Sequence, residues 1–325
     1  MPKAIRIHEA GGPEVFRWED VSIADPAPGE VHIRHLAVGL NYIDVYQRSG
    51  LYPLPSMPGI VGMEGSGEVL AVGADVHDFV PGERVAYAGN PPGAYATERL
   101  IPAHRLVKVP PQISDNQAAA MMLQGMTAQY LLRRTFKVQP GQIVLLHAAA
   151  GGVGLIACQW AKALGATVIG TVGSKEKAAL AKAHGCDHTI LYHEEDFVAR
   201  VKDLSGGHGV HVVYDAVGKE TFMKSLDCLR PMGMLVYYGQ SSGPAPAIDP
   251  GLLGKKGSLF LTRPSLMAYT AERDDLLASA TELFDAVISG MVQIKINQTY
   301  PLHEAAQAHR DLESRKTTGS TVLIP

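Results

Sequence analysis

The chain has 325 residues, 46% of them hydrophobic, and a formal net charge of -3. This length predicts two packed domains, and the weak charge gives no reason to expect nucleic acid or a membrane surface as a partner. No uninterrupted apolar run reaches the roughly 18 residues of a membrane span, and residues 1–12 lack the pattern of a secretory signal. The three cysteines are widely spaced and fit a reduced, cytoplasmic protein.

Short apolar segments divided by Gly and Pro characterise the first third of the chain. This punctuation predicts a β-rich region, with strands at residues 4–8, 31–38, 67–72, 84–88 and 94–99. Only residues 42–48 are expected to form a short helix there. A longer helical phase begins at Ser114, a predicted N-cap with Gln117 in the capping-box position.

From about residue 124 the pattern alternates between strands and helices. Six strands are predicted at residues 143–147, 166–172, 189–191, 210–214, 234–239 and 258–262. The helices between them are expected at residues 155–164, 175–184, 196–204 and 220–229. This alternation predicts an α/β domain with a doubly wound parallel sheet. The tail adds a predicted helix at 271–289, a strand at 294–300, a helix at 303–314 and a strand at 320–324.

A glycine-rich turn follows the first of these six strands. It reads HAAAGGVG over residues 147–154 and is followed by a helical segment that ends before Gly165. Strand, glycine turn and helix together are the setting of a dinucleotide fingerprint, in which backbone N–H groups at a helix N-terminus bind a pyrophosphate. The cofactor-binding residues predicted here are Ala150, Gly151, Gly152, Val153 and Gly154.

The late position of the fingerprint leaves room for a whole domain before it. The tail of roughly 60 residues is too short to fold readily alone, so we expect it to return to the first domain. The predicted borders give a catalytic domain over residues 1–124 and 264–325 and a nucleotide-binding domain over residues 125–263. The active site is expected in the cleft between the two, where ligand sites concentrate.

Several motifs resemble those of the medium-chain dehydrogenase/reductase superfamily. They are GMEGSG at 62–67, FVPGERV at 79–85, GAYA at 93–96 and the Ala-x-Gly-x-x-Gly run at 149–154. The motifs NYIDVY at 41–46, RSGLYP at 48–53, GQSSG at 239–243 and RPS at 263–265 resemble the NADPH:quinone oxidoreductase (zeta-crystallin-like) branch. The resemblance covers essentially the full length and implies a GroES-like β-rich catalytic domain beside a Rossmann domain.

Zinc-dependent members of that superfamily hold their catalytic metal with cysteines and a Gly-His-Glu histidine. Here Met63 stands at the histidine position, and no cysteine precedes Cys158. A thioether is a poor substitute for the imidazole and thiolate ligands of zinc. The spacings His184/His188 and His208/His211 fit structural or solvated roles better than a metal site. We therefore expect no metal, which disfavours simple alcohol oxidation and suits an electron-poor acceptor such as a quinone.

The end of the second predicted strand indicates which nicotinamide is bound. An NAD site usually has an acidic residue there for the ribose 2′-OH, but the strand is followed by Gly173 and by Ser174, a predicted cap of the next helix, and the acid Glu176 comes only inside that helix, beside Lys177. Space, a hydroxyl donor and a cation form an anion site fit for a 2′-phosphate, which predicts NADPH. The resemblance adds Tyr192 and Arg315 to this site.

The resemblance also implies the residues at the reacting end. Asn41, Tyr46 and Tyr52 are expected to face the nicotinamide and to orient a quinone, and Arg263 to aid its binding or to form an inter-domain salt bridge. Asp44 is an acid/base candidate, although a helix N-terminal carboxylate explains it equally well. Further cofactor contacts are expected from Asn41, Thr127, Gly239, Gln240 and Ser241.

The function that these residues predict is zinc-independent reduction of quinones by NADPH, with the reducing equivalents passing as hydride or as single electrons. One alternative on the same fold is reduction of the C=C bond of α,β-unsaturated ketones or aldehydes. Another is an NADPH-binding protein without catalysis, structural or RNA-associated, although no basic stripe with aromatic residues supports RNA binding. The resemblance implies a homodimer joined through the strand predicted at 258–262.

Overall fold

The computed structural model describes all 325 residues and divides into two compact units. The first unit comprises Met1–Met126, Thr270–Ile288 and Ile294–Pro325, and the second comprises Thr127–Tyr269 and Ser289–Gln293. The domain borders expected after residues 124 and 263 stay predictions. No helix is both long and apolar enough to cross a lipid bilayer.

The strands and helices are numbered in chain order. The strands are β1 (Lys3–Ile7), β2 (Arg17–Asp20), β3 (Glu30–Leu40), β4 (Gly59–Ile60), β5 (Glu64–Val72), β6 (Arg84–Ala88), β7 (Glu98–Pro102), β8 (Val107–Lys108), β9 (Ile143–Leu146), β10 (Thr167–Val172), β11 (His188–Leu191), β12 (Val210–Asp215), β13 (Leu229–Tyr237), β14 (Phe260–Thr262), β15 (Ile296–Pro301) and β16 (Ser320–Ile324). The α-helices are α1 (Tyr42–Arg48), α2 (Asp115–Tyr130), α3 (Gly152–Ala163), α4 (Lys175–Ala183), α5 (Phe197–Leu204), α6 (Phe222–Asp227), α7 (Gly251–Lys255), α8 (Leu266–Tyr269), α9 (Arg273–Ile288) and α10 (Ala305–Glu313). Short 3₁₀ turns lie at Pro13–Val15, Ala103–Arg105 and Leu302–Glu304, and a π-helical turn at Leu131–Thr135 continues α2.

The first unit is built on two sheets. A seven-stranded sheet has the order β15-β16-β3-β5-β6-β8, with β7 also paired to β3, and a three-stranded sheet has the order β2-β1-β4. Along β3, buried and less buried side chains alternate before the strand becomes fully buried at its end. This alternation is typical of a sheet with one face on a hydrophobic core. The last strand, β16, pairs antiparallel with β3, so the tail completes the sheet of the first unit.

The second unit contains the predicted doubly wound sheet. Its six strands are all parallel and have the order β11-β10-β9-β12-β13-β14. The chain winds outward from β9 to β11 and then crosses to β12, so the strand order reverses between β9 and β12. In open parallel sheets, ligands bind beyond the carboxyl ends of the strands at such a reversal. The predicted fold class is confirmed, and the sheet positions the nucleotide fingerprint at this edge.

A buried polar group joins the carboxyl ends of three strands of this sheet. The His147 ring bonds through Nδ1 to the Thr171 hydroxyl at 2.9 Å and through Nε2 to the Ser225 hydroxyl at 3.0 Å. The Ser225 hydroxyl in turn donates to the Asp215 carboxylate at 3.0 Å. All four side chains are buried, and burial lowers the pKa of His147. The network therefore fixes the sheet edge from which the fingerprint begins.

Several element predictions need correction. The strand expected at 94–99 is wrong, because the backbone at Ala94 and Tyr95 bonds to Gly62 and Val61 instead, and β7 begins only at Glu98. The helix expected at 220–229 ends at Asp227, since β13 starts at Leu229. The sequence patterns also missed the short elements β2, β4, β8, α7 and α8. The capping box is confirmed: Ser114 N–H donates to Gln117 Oε1 at 3.1 Å and Gln117 N–H to Ser114 Oγ at 3.3 Å.

Helix α3 begins inside the fingerprint and lies against the turn that precedes it. A Cβ added at Gly154 would collide with the carbonyl oxygen of Ala148 and would lie 2.7 Å from the carbonyl carbon of Ala149. Both obstacles are backbone atoms, so no side-chain rotation relieves them. Glycine is therefore required at this position for the helix to begin where it does.

We expect Gly154→Ala to lower the free energy of unfolding by about 1–3 kcal/mol, the usual cost of overpacking, and to weaken nucleotide binding. Gly254→Ala is the matched control, because a Cβ at Gly254 in α7 meets no atom within 4 Å and alanine favours a helix. Chemical denaturation of both variants measures the difference. Equal stability of the two variants would show that the close approach does not require glycine.

Candidate functional site

The fingerprint turn exposes a row of backbone donors. Strand β9 ends at Leu146, Gly151 caps the helix in an extended conformation, and α3 starts at Gly152. The N–H groups of the first helical turn have no partner within their own helix, and the helix dipole places positive potential at the same point. The turn from Ala150 to Gly154 thus places backbone N–H groups at the carboxyl edge of the sheet, where that of Gly151 donates to the Ala148 carbonyl at 2.9 Å, and its role in anion binding stays a prediction.

The residues predicted to bind a 2′-phosphate lie at the end of β10. Gly173 follows the strand, and Ser174 caps α4 by accepting the N–H of Lys177 at 3.3 Å. Tyr192 follows the neighbouring strand β11, and a Cβ at Gly173 would lie 3.1 Å from its hydroxyl oxygen. The structure therefore brings Gly173 close to Tyr192 and places Ser174 and Lys177 in the first turn of the helix that follows Gly173.

An acidic residue, Glu176, also lies in the first turn of this helix. The Ser174 hydroxyl bonds with the Glu176 side chain, and that bond holds the pKa of Glu176 below its ordinary value. Glu176 is also one residue from Lys177. An acid that bonds the capping serine was detectable from the spacing, because side chains at Ncap and in the first helical turn meet.

The remaining predicted residues of the second unit lie on several elements. Gly239, Gln240 and Ser241 follow β13, where Gln240 Oε1 accepts the Tyr237 hydroxyl at 3.1 Å and Ser241 N–H donates to the Ala216 carbonyl at 3.1 Å. Arg263 follows β14, with its guanidinium carbon 4.8 Å from the centre of the Tyr237 ring. Two further side chains lie elsewhere: Thr127 is buried in α2, and Arg315 belongs to the first unit, just after α10.

The first unit carries an array of three tyrosines. The ring centres of Tyr46 and Tyr52 are 5.2 Å apart in an edge-to-face arrangement, and those of Tyr42 and Tyr46 are 5.5 Å apart. Tyr46 is largely buried. No sequence pattern singled out Tyr42, although its spacing of four residues from Tyr46 on α1 puts both on one helix face. Burial, helped by the charge of Glu313, raises the pKa of Tyr42.

Asn41 lies at the start of α1, and its side-chain amide is held by two neighbours. Its Nδ2 donates to Glu64 Oε2 at 2.6 Å, and its Oδ1 accepts Gln124 Nε2 at 3.1 Å. Gln124 Oε1 accepts the Ser320 hydroxyl at 2.7 Å. All four side chains are buried, and desolvation raises the pKa of Glu64 to about 8. The Gly62-Met63-Glu64 motif predicted no role for Glu64, and no pattern in the sequence singled out Gln124.

A separate buried network holds α1 against the C-terminal helix. Asp44 Oδ2 accepts the Asn41 backbone N–H at 2.9 Å and the Tyr95 hydroxyl at 3.1 Å, and Tyr95 also bonds with His309 Nε2 at 2.9 Å. Arg48 donates to His309 Nδ1 and forms a two-pronged ion pair with Glu313 on α10. Burial raises the pKa of Asp44 to about 7 and lowers that of His309 well below its ordinary value. Asp44 thus lies in the first turn of α1 and accepts the backbone N–H of Asn41, which is the position expected of a helix N-terminal carboxylate.

The residues at the position of a catalytic zinc site do not fit the metal. Met63 is buried, and a Cβ at Gly39 would collide with Glu64 Oε2 and with the Ala119 carbonyl. Nowhere do three His, Cys, Asp or Glu side chains group as a metal site would require. One histidine of each predicted pair bonds with backbone: His184 with the Leu180 carbonyl and His211 with the Ile143 N–H.

Two sequence families match the chain. The alcohol dehydrogenase GroES-like domain family matches residues 27–111, and the zinc-binding dehydrogenase family matches residues 152–279. The second description names zinc, for which this chain offers no donor set. The two matches correspond to the β-rich first unit and to the parallel sheet of the second.

Individual relatives match over the whole length. A quinone oxidoreductase of Pseudomonas aeruginosa is 51% identical over all of both chains, and a 2-haloacrylate reductase of a Burkholderia species is 49% identical over all of this chain and 99% of its own. The crystal structure of Escherichia coli quinone oxidoreductase complexed with NADPH superposes with a TM-score of 0.98, at 48% identity over 99% of this chain and all of that one. The chain therefore belongs to the quinone oxidoreductase family of the medium-chain dehydrogenase/reductase superfamily.

Proposed function

We propose that this protein reduces quinones with NADPH and uses no metal. The observation that carries the proposal is the fingerprint turn, whose first-turn N–H groups lie beside the strand-order reversal of a six-stranded parallel sheet. Full-length relatives named quinone oxidoreductase, one of them complexed with NADPH, support the same activity.

The second unit supplies the proposed cofactor contacts. Residues Ala150 to Gly154 would bind the pyrophosphate through backbone N–H groups, and Ser174, Lys177 and Tyr192 would bind the 2′-phosphate. Thr127, the segment Gly239–Gln240–Ser241 and, from the first unit, Arg315 are proposed as further contacts. Bound NADPH would supply the reducing equivalents for the acceptor.

The acceptor contacts are proposed for the first unit. Tyrosine hydroxyls donate hydrogen bonds to a quinone oxygen, and tyrosine rings stack on a flat acceptor. The array of Tyr42, Tyr46 and Tyr52 offers both, and the amide of Asn41 is a further polar contact. Arg263, which belongs to the second unit, is proposed as an additional acceptor contact, and its guanidinium carbon lies 4.8 Å from the centre of the Tyr237 ring.

Reduction of an activated C=C bond is the second candidate. The 2-haloacrylate reductase relative, 49% identical, favours it, because its name describes a substrate with an activated double bond. Quinones and activated alkenes both accept electrons at a carbon conjugated to a carbonyl group, so the same contacts would serve either acceptor.

Steady-state kinetics with NADPH and NADH, each paired with 1,4-benzoquinone and with an enone, tests the proposal. We expect the highest kcat/KM for NADPH with benzoquinone, and a value about tenfold or more lower for NADH, because only NADPH carries the phosphate that the cationic site recognises. Enone turnover without quinone turnover would assign the second candidate instead. Purified protein that oxidises neither nicotinamide would overturn both.

The double variant Ser174→Ala/Lys177→Ala tests the proposed 2′-phosphate site. We expect the NADPH dissociation constant to rise about tenfold or more, because charge-assisted hydrogen bonds to the phosphate are lost. The NADH constant should change by less than about twofold. Fluorescence titration measures both constants, and Lys175→Ala is the control, since Lys175 is exposed on the same helical turn. Equal weakening of both nicotinamides would contradict the assignment.

We also propose a homodimer formed through β14. This strand lies at the edge of its sheet, and Phe260 is 56% exposed on it. An exposed apolar edge strand is a site for pairing with a second copy. Light scattering should give twice the chain mass, and Phe260→Glu should shift the mass to that of the monomer. Met223→Glu, an equally apolar surface position on α6, should leave the dimer intact, and a monomeric parent protein would refute this assembly.

A further inference from the structure

We infer that Glu64 is a positioning residue, whose buried carboxyl fixes the orientation of the Asn41 amide. The inference rests on the proposed function, in which Asn41 contacts the acceptor or the cofactor. Glu64 is fully buried at the first position of β5, so its own carboxyl acts through Asn41.

The Glu64 carboxyl accepts a hydrogen bond on each of its two oxygens. Oε2 accepts Asn41 Nδ2 at 2.6 Å, and Oε1 accepts the backbone N–H of Leu123 in α2 at 2.8 Å. Because the Leu123 N–H belongs to the backbone of α2, its position is fixed by that helix, and the bond holds the Glu64 carboxyl in place. The other oxygen then presents a fixed acceptor to Asn41.

This fixed acceptor determines which end of the Asn41 amide faces which neighbour. With Glu64 ionised, a rotated amide would bring Oδ1 against the carboxylate oxygen Oε2 and would bring Nδ2 against the Gln124 amide nitrogen, so two hydrogen bonds would become two repulsive contacts. Gln124 is itself held by the Ser320 hydroxyl at 2.7 Å. The Ser320 hydroxyl can also donate to the Ala120 carbonyl at 2.9 Å, so the direction of the chain is set at its other end, where the Leu123 N–H and the Glu64 carboxyl favour one amide orientation of Asn41.

The backbone beside Glu64 preserves this arrangement. Because a Cβ at Gly39 would collide with Glu64 Oε2, a side chain there would force the carboxyl away from Asn41. Glycine at position 39 therefore leaves room for the Glu64 carboxyl at the place where it bonds with Asn41.

A double-mutant cycle on the full-length protein tests the inference. Glu64→Gln keeps the shape of the side chain, but its amide satisfies only one of the two N–H donors. We expect kcat to fall about tenfold or more, because small displacements of an orienting group cost large factors in rate. In the Asn41→Ala background the same substitution should lower kcat by less than about twofold, since no amide is left to orient. Glu68→Gln is the control, four residues along β5, where the side chain is 34% exposed and pairs with Arg34.

A second readout needs neither cofactor nor turnover. The side-chain amide NMR signal of Asn41 in the cofactor-free protein, identified by its loss in Asn41→Ala, should shift in Glu64→Gln and not in Glu68→Gln. The inference would be overturned if Glu64→Gln lowered kcat by the same factor with and without Asn41, and if the Asn41 signal did not shift in Glu64→Gln. A parent protein without quinone activity would refute the proposed function, while the NMR comparison would still decide whether Glu64 orients the amide. If Glu64→Gln does not fold, Glu64→Asp replaces it, because the shorter side chain moves the carboxyl away from Asn41 by one methylene. The inference then requires that Glu64→Asp and Asn41→Ala be non-additive and that Glu64→Asp shift the Asn41 signal.

Discussion

The contact between helix α3 and its preceding turn is the constraint on which the nucleotide site depends. No side chain fits at Gly154, because the Ala148 and Ala149 backbone occupies the space where its Cβ would lie. This close approach lets α3 begin directly beside the end of β9, so its free N–H groups lie at the carboxyl edge of the sheet. The His147 ring, through its hydrogen bonds to Thr171 and Ser225, stabilises that edge. The position of these N–H groups thus follows from backbone packing, and the side chains of the network fix where the backbone lies.

The first unit buries two carboxyl groups, Glu64 and Asp44, away from water. Removing a carboxyl from water without compensation costs several kcal/mol. Glu64 and Asp44 are fully buried, and their raised pKa values reflect that cost. Both recover part of it by accepting N–H donors, and both use Asn41: its backbone N–H goes to Asp44 and its side chain to Glu64.

Patterns that repeat along the chain were predicted well from sequence. The six parallel strands, the fingerprint turn, the Ser114 capping box and the Ser174 helix cap all follow from local spacing, since each is made by residues close together in the chain. The errors share a different physical cause. The segment at Ala94 and Tyr95 has apolar residues typical of a strand, but its backbone partners at residues 61 and 62 are supplied by the tertiary fold. Gln124 and Ser320 meet across 196 residues of sequence, and no local pattern encodes such a contact.

The hydrogen-bond capacity of Asn41 limits what its side chain can do for a ligand. An asparagine amide has two N–H donors and an oxygen with two lone pairs. Glu64 takes one donor, and the oxygen accepts from Gln124 and, in the capping box, from the Asp44 backbone N–H, so one N–H remains. A single donor with fixed direction can hold one carbonyl oxygen, a feature that quinones and α,β-unsaturated carbonyl compounds share. The amide alone therefore does not distinguish the two candidate substrate classes. Discrimination between them has to come from shape, and the tyrosine array is the feature of the first unit that would favour a flat ring.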